Sequence, residues 1–178
     1  MMESSGAVFQ NGVEMKEILQ NEQMIRQKLT EALQKENEAF WLKRLEERNM
    51  GRLHVAVMTE PYFSLVLAGK KTMESRFSQR KIAPWGKVAA GDTVILKKSG
   101  GGYAGIFEAG SVQFLQPKNR TDVLAIRAAW NDRLCIEDGF WQAKADSRYV
   151  TLIGIINLCS FEKFFLPCSN RQAWISYR

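Results

Sequence analysis

The spacing of apolar residues changes once along the chain, near residue 50. From Val13 to about Arg48, Ile18, Ile25, Ala32 and Ala39 recur every seven positions, joined by Leu29, Leu33, Phe40 and Leu45. Glu, Gln, Lys and Arg fill the positions between, no proline intervenes, and Asn49 and Gly51 supply a stop. The pattern predicts one long amphipathic helix. Glu22 and Glu36 fall on its apolar stripe, so it could dock on the rest of the chain or pair through residues 13–48 with a second copy or another partner.

After Arg52 the period shortens to two. Leu53, Val55 and Val57 alternate with polar or small residues, predicting a strand over Arg52–Met58 with His54 as a strand residue making a local hydrogen bond. Thr59-Glu-Pro61 reads as a helix start capped by Thr59 or Glu60. Gly69 marks the end of that short helix. Lys71–Phe77 is the next extended piece, and Ser78–Ala90 is a loop holding Pro84, Trp85 and Gly86. Thr93–Lys98 and Tyr103–Glu108 form a hairpin about Ser99-Gly-Gly-Gly102, with a further strand around Val112–Leu115. Helices are predicted over Asp122–Leu134 and Glu137–Ala145, followed by an apolar strand at Tyr149–Leu158 and a tail packed across the sheet. Five to six short strands with inserted helices predict an α+β domain, a small closed or partly closed barrel. The domain boundary falls at 50/51, separating a helical extension (1–50) from the β-rich domain (51–178).

Composition narrows the function. No apolar run approaches the roughly 20 residues of a membrane span, and no secretory pattern opens the chain, so a cytoplasmic location is expected. Cys135, Cys159 and Cys168 form no CxxC pair and His54 is the only histidine, which predicts neither a metal site nor another cofactor. Residues 1–50 carry seven Lys/Arg against nine Asp/Glu, while residues 51–178 carry eighteen against ten. The β-rich part alone is basic, which favours an anionic partner such as nucleic acid.

Chemistry concentrates in Gly69-Lys-Lys-Thr-Met-Glu-Ser-Arg76. It is not a phosphate-binding P-loop, because Ser64 stands where the first glycine belongs and a strand follows. Period two puts Thr72, Glu74 and Arg76 on one strand face, with Lys71 in the turn before it. Gly69, Lys71, Glu74 and Arg76 match the Gly-x-Lys-x-x-Glu-x-Arg signature of the ASCH family, a PUA-like β-barrel group. The preceding Glu-Pro-Tyr-Phe-Ser-Leu-Val-Leu-Ala-Gly69 also resembles that family, as do the strands within Gly86–Lys98 and Tyr149–Ile155. The likeness spans about residues 52–160.

This resemblance implies a cleft between the early helix and the barrel that takes RNA, nucleotides or modified nucleosides. In that cleft Lys71 and Arg76 would hold phosphate or base acceptors, Arg76 as a bidentate fork, and Glu74 would accept from a base N–H. Thr72 stands beside them. Arg80, Lys81, Lys97 and Lys98 would form a basic rim, and Trp85, Tyr103 and Trp141 are candidate stacking surfaces. Some small ASCH proteins are similar to amidohydrolases that deacylate acylated cytidine with a Lys, a Thr nucleophile and a carboxylate. Their Lys falls on Lys71 and their Thr on the position of Glu74, with Glu137 or Asp138 as candidate carboxylates. A ribonuclease would instead use Lys71 and Glu74 as acid and base. The expectation is a binding module for nucleic acid or nucleotides, with a hydrolase as the alternative and a protein-interaction role for the N-terminal helix as the third.

Overall fold

Residues 5–167 and 172–177 are described by the structure, a computed structural model. The single helix expected at the N-terminus is two, α1 (Ser5–Lys35) and α2 (Ala39–Glu46). The break falls at Asn37, whose φ of 55° lies in the left-handed region that asparagine enters more readily than most residues. Ile25, Leu29, Ala32 and Leu33 of α1 are buried with Trp41, Met50, Leu53 and Val55, whereas Ile18 and Leu19 remain exposed. The second half of the heptad pattern therefore docks onto the sheet.

Six strands follow: β1 (Leu53–Met58), β2 (Met73–Ser78), β3 (Thr93–Lys98), β4 (Tyr103–Leu115), β5 (Tyr149–Phe164) and β6 (Trp174–Ser176). They form one curled sheet in the order β2-β5-β4-β3-β1-β6, parallel only between β1 and β3. Three register shifts along β4 and β5 supply local bends. The separate strand expected at Val112–Leu115 is the far end of β4, beyond one of these shifts. Residues 161–164, expected in the tail, belong to β5.

The barrel is a half-barrel. Its edge strands, β2 and β6, share no hydrogen-bond ladder. Arg76 of β2 instead donates from Nη1 to the Ala173 carbonyl (3.0 Å) and from Nη2 to the Val57 carbonyl (3.1 Å). A side chain thus bridges a seam that backbone leaves open.

Three helices decorate the sheet. α3 (Tyr62–Leu67) starts behind Glu60, whose carboxylate accepts from the Ser64 amide (3.2 Å) and hydroxyl (2.9 Å), and ends at Gly69, φ 69°. α4 (Arg120–Leu134) is capped by the Asn119 side chain accepting from the Asp122 amide (3.0 Å) and stops at the left-handed Cys135. α5 (Asp138–Lys144) follows, and Trp141 joins Val123, Ile126, Met73 and Leu152 in a core beneath both helices.

His54 is wholly buried at the β1–β6 junction. Its Nδ1 lies 2.9 Å from Ser176 Oγ and accepts from Trp174 Nε1 (3.3 Å), while Nε2 lies 3.0 Å from Asp92 Oδ2. An indole nitrogen can only donate, so Nδ1 is the acceptor and Nε2 carries the proton toward Asp92. Burial holds the His54 pKa below its usual value, with Asp92 opposing the shift. Cys135 and Cys159 are free thiols, the latter pushed up to about 12 by burial, and Cys168 lies outside the described residues. No helix among the described residues is long and apolar enough to cross a membrane.

Candidate functional site

Gly69 turns the chain out of α3, and the Lys70 and Lys71 amides close the turn on the Leu65 carbonyl (3.0 Å each). Lys71 is thereby sent inward and is 2% exposed. Its Nζ donates to the Leu134 carbonyl (2.8 Å) at the end of α4, where unpaired carbonyls and the helix dipole favour a cation. Glu74 Oε2 lies 3.6 Å away and the Tyr62 ring centroid 5.7 Å. Burial nevertheless lowers the Lys71 pKa from the ordinary lysine value, while Glu74 pulls it back up.

Glu74 is buried between two cations. Its other oxygen, Oε1, is 2.8 Å from Arg76 Nε, a charge contact whose N–H does not point at the oxygen and has no other acceptor. The Arg76 guanidinium lies over Trp174, 5.3 Å from the ring. Both of its terminal nitrogens serve main-chain carbonyls across the seam, so they do not form the free fork expected of Arg76 as a ligand clamp.

These groups face a cavity of about 360 Å³ in the seam. Its wall includes Tyr62, Phe140 and Trp174, the loop residues Ile82–Pro84, and the polar Ser75, Thr151 and Lys144. The Tyr62 hydroxyl is buried there beside the Glu137 backbone; burial, then the Glu137 charge, push the phenol above its usual range, and a contact with the Glu137 backbone opposes the shift. Three cations, Lys71, Arg76 and Lys144, thus meet one carboxylate in a pocket with four aromatic and several aliphatic wall residues.

Of the residues singled out from sequence, Lys71, Glu74 and Arg76 come together in the cavity wall. Thr72 does not. The strand begins only at Met73, and the Thr72 hydroxyl accepts from Arg133 Nε (3.2 Å) outside the cavity. Gly69 shapes the approach but lines nothing. Tyr103 is buried and stacked on Phe164 (5.0 Å), and Trp141 is buried with Nε1 donating to Asn131 Oδ1 (3.0 Å), so neither ring offers a face to a ligand. Lys97 lies over Tyr103 and Lys98 pairs with Glu60 (2.9 Å), and neither lines the cavity. Arg80 and Lys81 are exposed on the loop that supplies Ile82–Pro84, while Trp85 packs on Tyr149 and Phe114 outside the cavity. Asp138 pairs with Arg127, and Glu137 is exposed at the N-cap of α5.

Sequence reading missed Tyr62, Phe140, Lys144 and Trp174. Tyr62 carries a usable signal, a phenol at the start of a mostly apolar helix. Trp174 carries none, since only the β1–β6 pairing brings it to Arg76.

Residues 57–165 match the ASCH domain. The chain belongs to the ASCH domain family. No curated protein is matched by sequence. Among solved structures, this ASCH domain is similar to the ASCH protein of Zymomonas mobilis. A serine-to-alanine mutant of that protein aligns with a TM-score of 0.57 at 12% identity, covering 71% of this chain and 88% of the other. The structure titled without a mutation gives 0.54 at 11% identity, covering 71% and 87%. At such identity the likeness establishes the ASCH/PUA-like fold and nothing about the ligand.

Proposed function

We propose that this ASCH domain binds RNA or a modified nucleotide by taking one base into the seam cavity, with Glu74 as the group that reads it. The observation carrying this reading is the placement of Glu74, a buried carboxylate fixed between Lys71 and Arg76 at the wall of a partly aromatic cavity. A carboxylate so held accepts from an exocyclic amine or ring N–H, and it repels phosphate. A volume of about 360 Å³ sits at the lower end of small-molecule sites and suits a single base with its sugar. Tyr62 Oη could donate to a base carbonyl or ring nitrogen.

Calorimetric titration of the full-length protein with a panel of nucleosides and modified nucleosides tests this. One or a few bases bearing an N–H edge should bind, and Glu74→Gln should weaken the preferred base at least about tenfold while levelling the ranking, consistent with roughly 1–3 kcal/mol per read contact. Equal affinity for every base, unchanged in Glu74→Gln, would remove the base-reading role.

The lowered proton affinity of Lys71 supports hydrolysis of the bound ligand as a second reading. Chromatography of the same mixtures decides it: a product that disappears with Lys71→Met would make the domain an enzyme.

A further inference from the structure

Many cations outside the cavity are already neutralised. Arg120 pairs with Asp146 (2.9 Å), Lys98 with Glu60 (2.9 Å), and Arg127 with Asp138. Arg80, Lys81, Lys144 and Arg148 are among those that are not: none has a carboxylate within ion-pair distance among the described residues. They are held as one group. The Arg148 amide donates to the Ser78 carbonyl (3.1 Å), and the Gln79 side chain donates to the Asp146 carbonyl (2.8 Å), which fastens the β2–β3 loop to the segment between α5 and β5. The acid nearest this junction, Asp146, is the one taken by Arg120.

The group borders the cavity directly. Lys144 lines it, and Ile82–Pro84, next in sequence to Arg80 and Lys81, form its wall. Aromatic surface continues outward from the same loop. Trp85 faces Tyr149 (5.0 Å) and Phe114 (5.2 Å), Lys81 Nζ lies 5.7 Å from the Tyr149 ring, and Phe114 and Ile82 stay 40% and 59% exposed. Unpaired cations interleaved with half-exposed rings are what a polyanion with stacking faces requires. A free nucleoside in the cavity would leave all of this unused.

We propose that the ligand is single-stranded nucleic acid, one base in the cavity and its flanking phosphates on Arg80, Lys81, Lys144 and Arg148. The inference rests on the base-in-cavity reading and adds the strand. Duplex is disfavoured because a paired base cannot enter a pocket of this size without leaving its stack.

The test compares four ribonucleosides with the matching single-stranded pentaribonucleotides, bound to the full-length protein at about 50 and about 200 mM salt. The preferred pentanucleotide should bind at least about tenfold tighter than its nucleoside. Its affinity should fall with salt with a log–log slope of about −3, since each of four phosphate contacts on a single strand contributes about −0.7. Arg80→Ala with Lys81→Ala, and separately Arg148→Ala, should each shrink the strand-to-nucleoside ratio and flatten the slope by about 0.7 per cation removed. These side chains are exposed, so the fold should persist, and circular dichroism checks it. A pentanucleotide no tighter than its nucleoside, with salt-independent affinity, overturns the strand and leaves the cavity reading standing. Salt-dependent strand binding indifferent to Glu74→Gln overturns the cavity reading and, with it, the base in the cavity that this proposal requires. Silence toward every nucleoside and strand overturns both.

Discussion

Glu74 shares one carboxylate between Lys71 and Arg76, and the two cations differ in what else they hold. Lys71 also closes α4 through the Leu134 carbonyl, in a place too dry for water to replace the bond. Lys71→Met should therefore lose stability by about 3 kcal/mol in urea denaturation, because a buried charge pair loses one member and a helix end loses its donor. His54 offers a cleaner reading as the only histidine. Its folded pKa lies below the ordinary 6.5, so between that lowered value and 6.5 the unfolded chain binds the extra proton. The His54 contribution to stability should be level above neutrality and fall as pH drops through 6.5. In His54→Gln that part of the pH dependence should vanish. At this scale the sequence was most legible where neighbours in the chain are neighbours in space: Lys71, Glu74 and Arg76 sit on one turn and one strand. Thr72 was misplaced because the strand starts one residue later than alternation suggests. Trp174 was invisible because nearly a hundred residues separate it from Arg76.

Among the elements, α1 is the one whose role periodicity left undecided. Burial of Leu29 and Leu33 beside Val55 makes the docked half part of the same core as the sheet. Leu29→Ala should then cost about 2–5 kcal/mol of the whole transition, read as a single shift by fluorescence and circular dichroism together. A helix attached only loosely would melt first, separately, and leave the sheet transition where it was. α4 depends on local chemistry instead. Asn119→Ala removes its side-chain cap and should cost about 1 kcal/mol. The elements themselves were largely legible, since Thr93–Lys98 with its apolar run Val94–Leu96 is β3 and the Asp122–Leu134 pattern lies within α4. What alternation could not supply was continuity. The register shifts of β4 and β5 make one long bent strand look like two short ones, and a left-handed Asn37 divides one apparent helix.

At the level of the whole molecule, the charge asymmetry along the chain foretold a basic domain but not how its cations are distributed around the cavity. Lys98 pairs with Glu60 and Lys97 lies over the Tyr103 ring, whereas Lys144 lines the cavity, placements that tertiary contacts and not sequence order decide. The fold also leaves its two edge strands unzipped, and this has a mechanical consequence. In a fully laddered barrel the bore is fixed by backbone hydrogen bonds, each backed by its neighbours. Here the bore can dilate along one line when two bonds from a single guanidinium let go. The upper size of an admissible guest is then set by a side chain, which substitution can retune without touching the sheet. Arg76→Met should quicken amide exchange at Trp174 and Val57 and admit bases carrying bulkier substituents. A narrow gauge that mutation can widen is a simple route by which one scaffold comes to hold different modified bases.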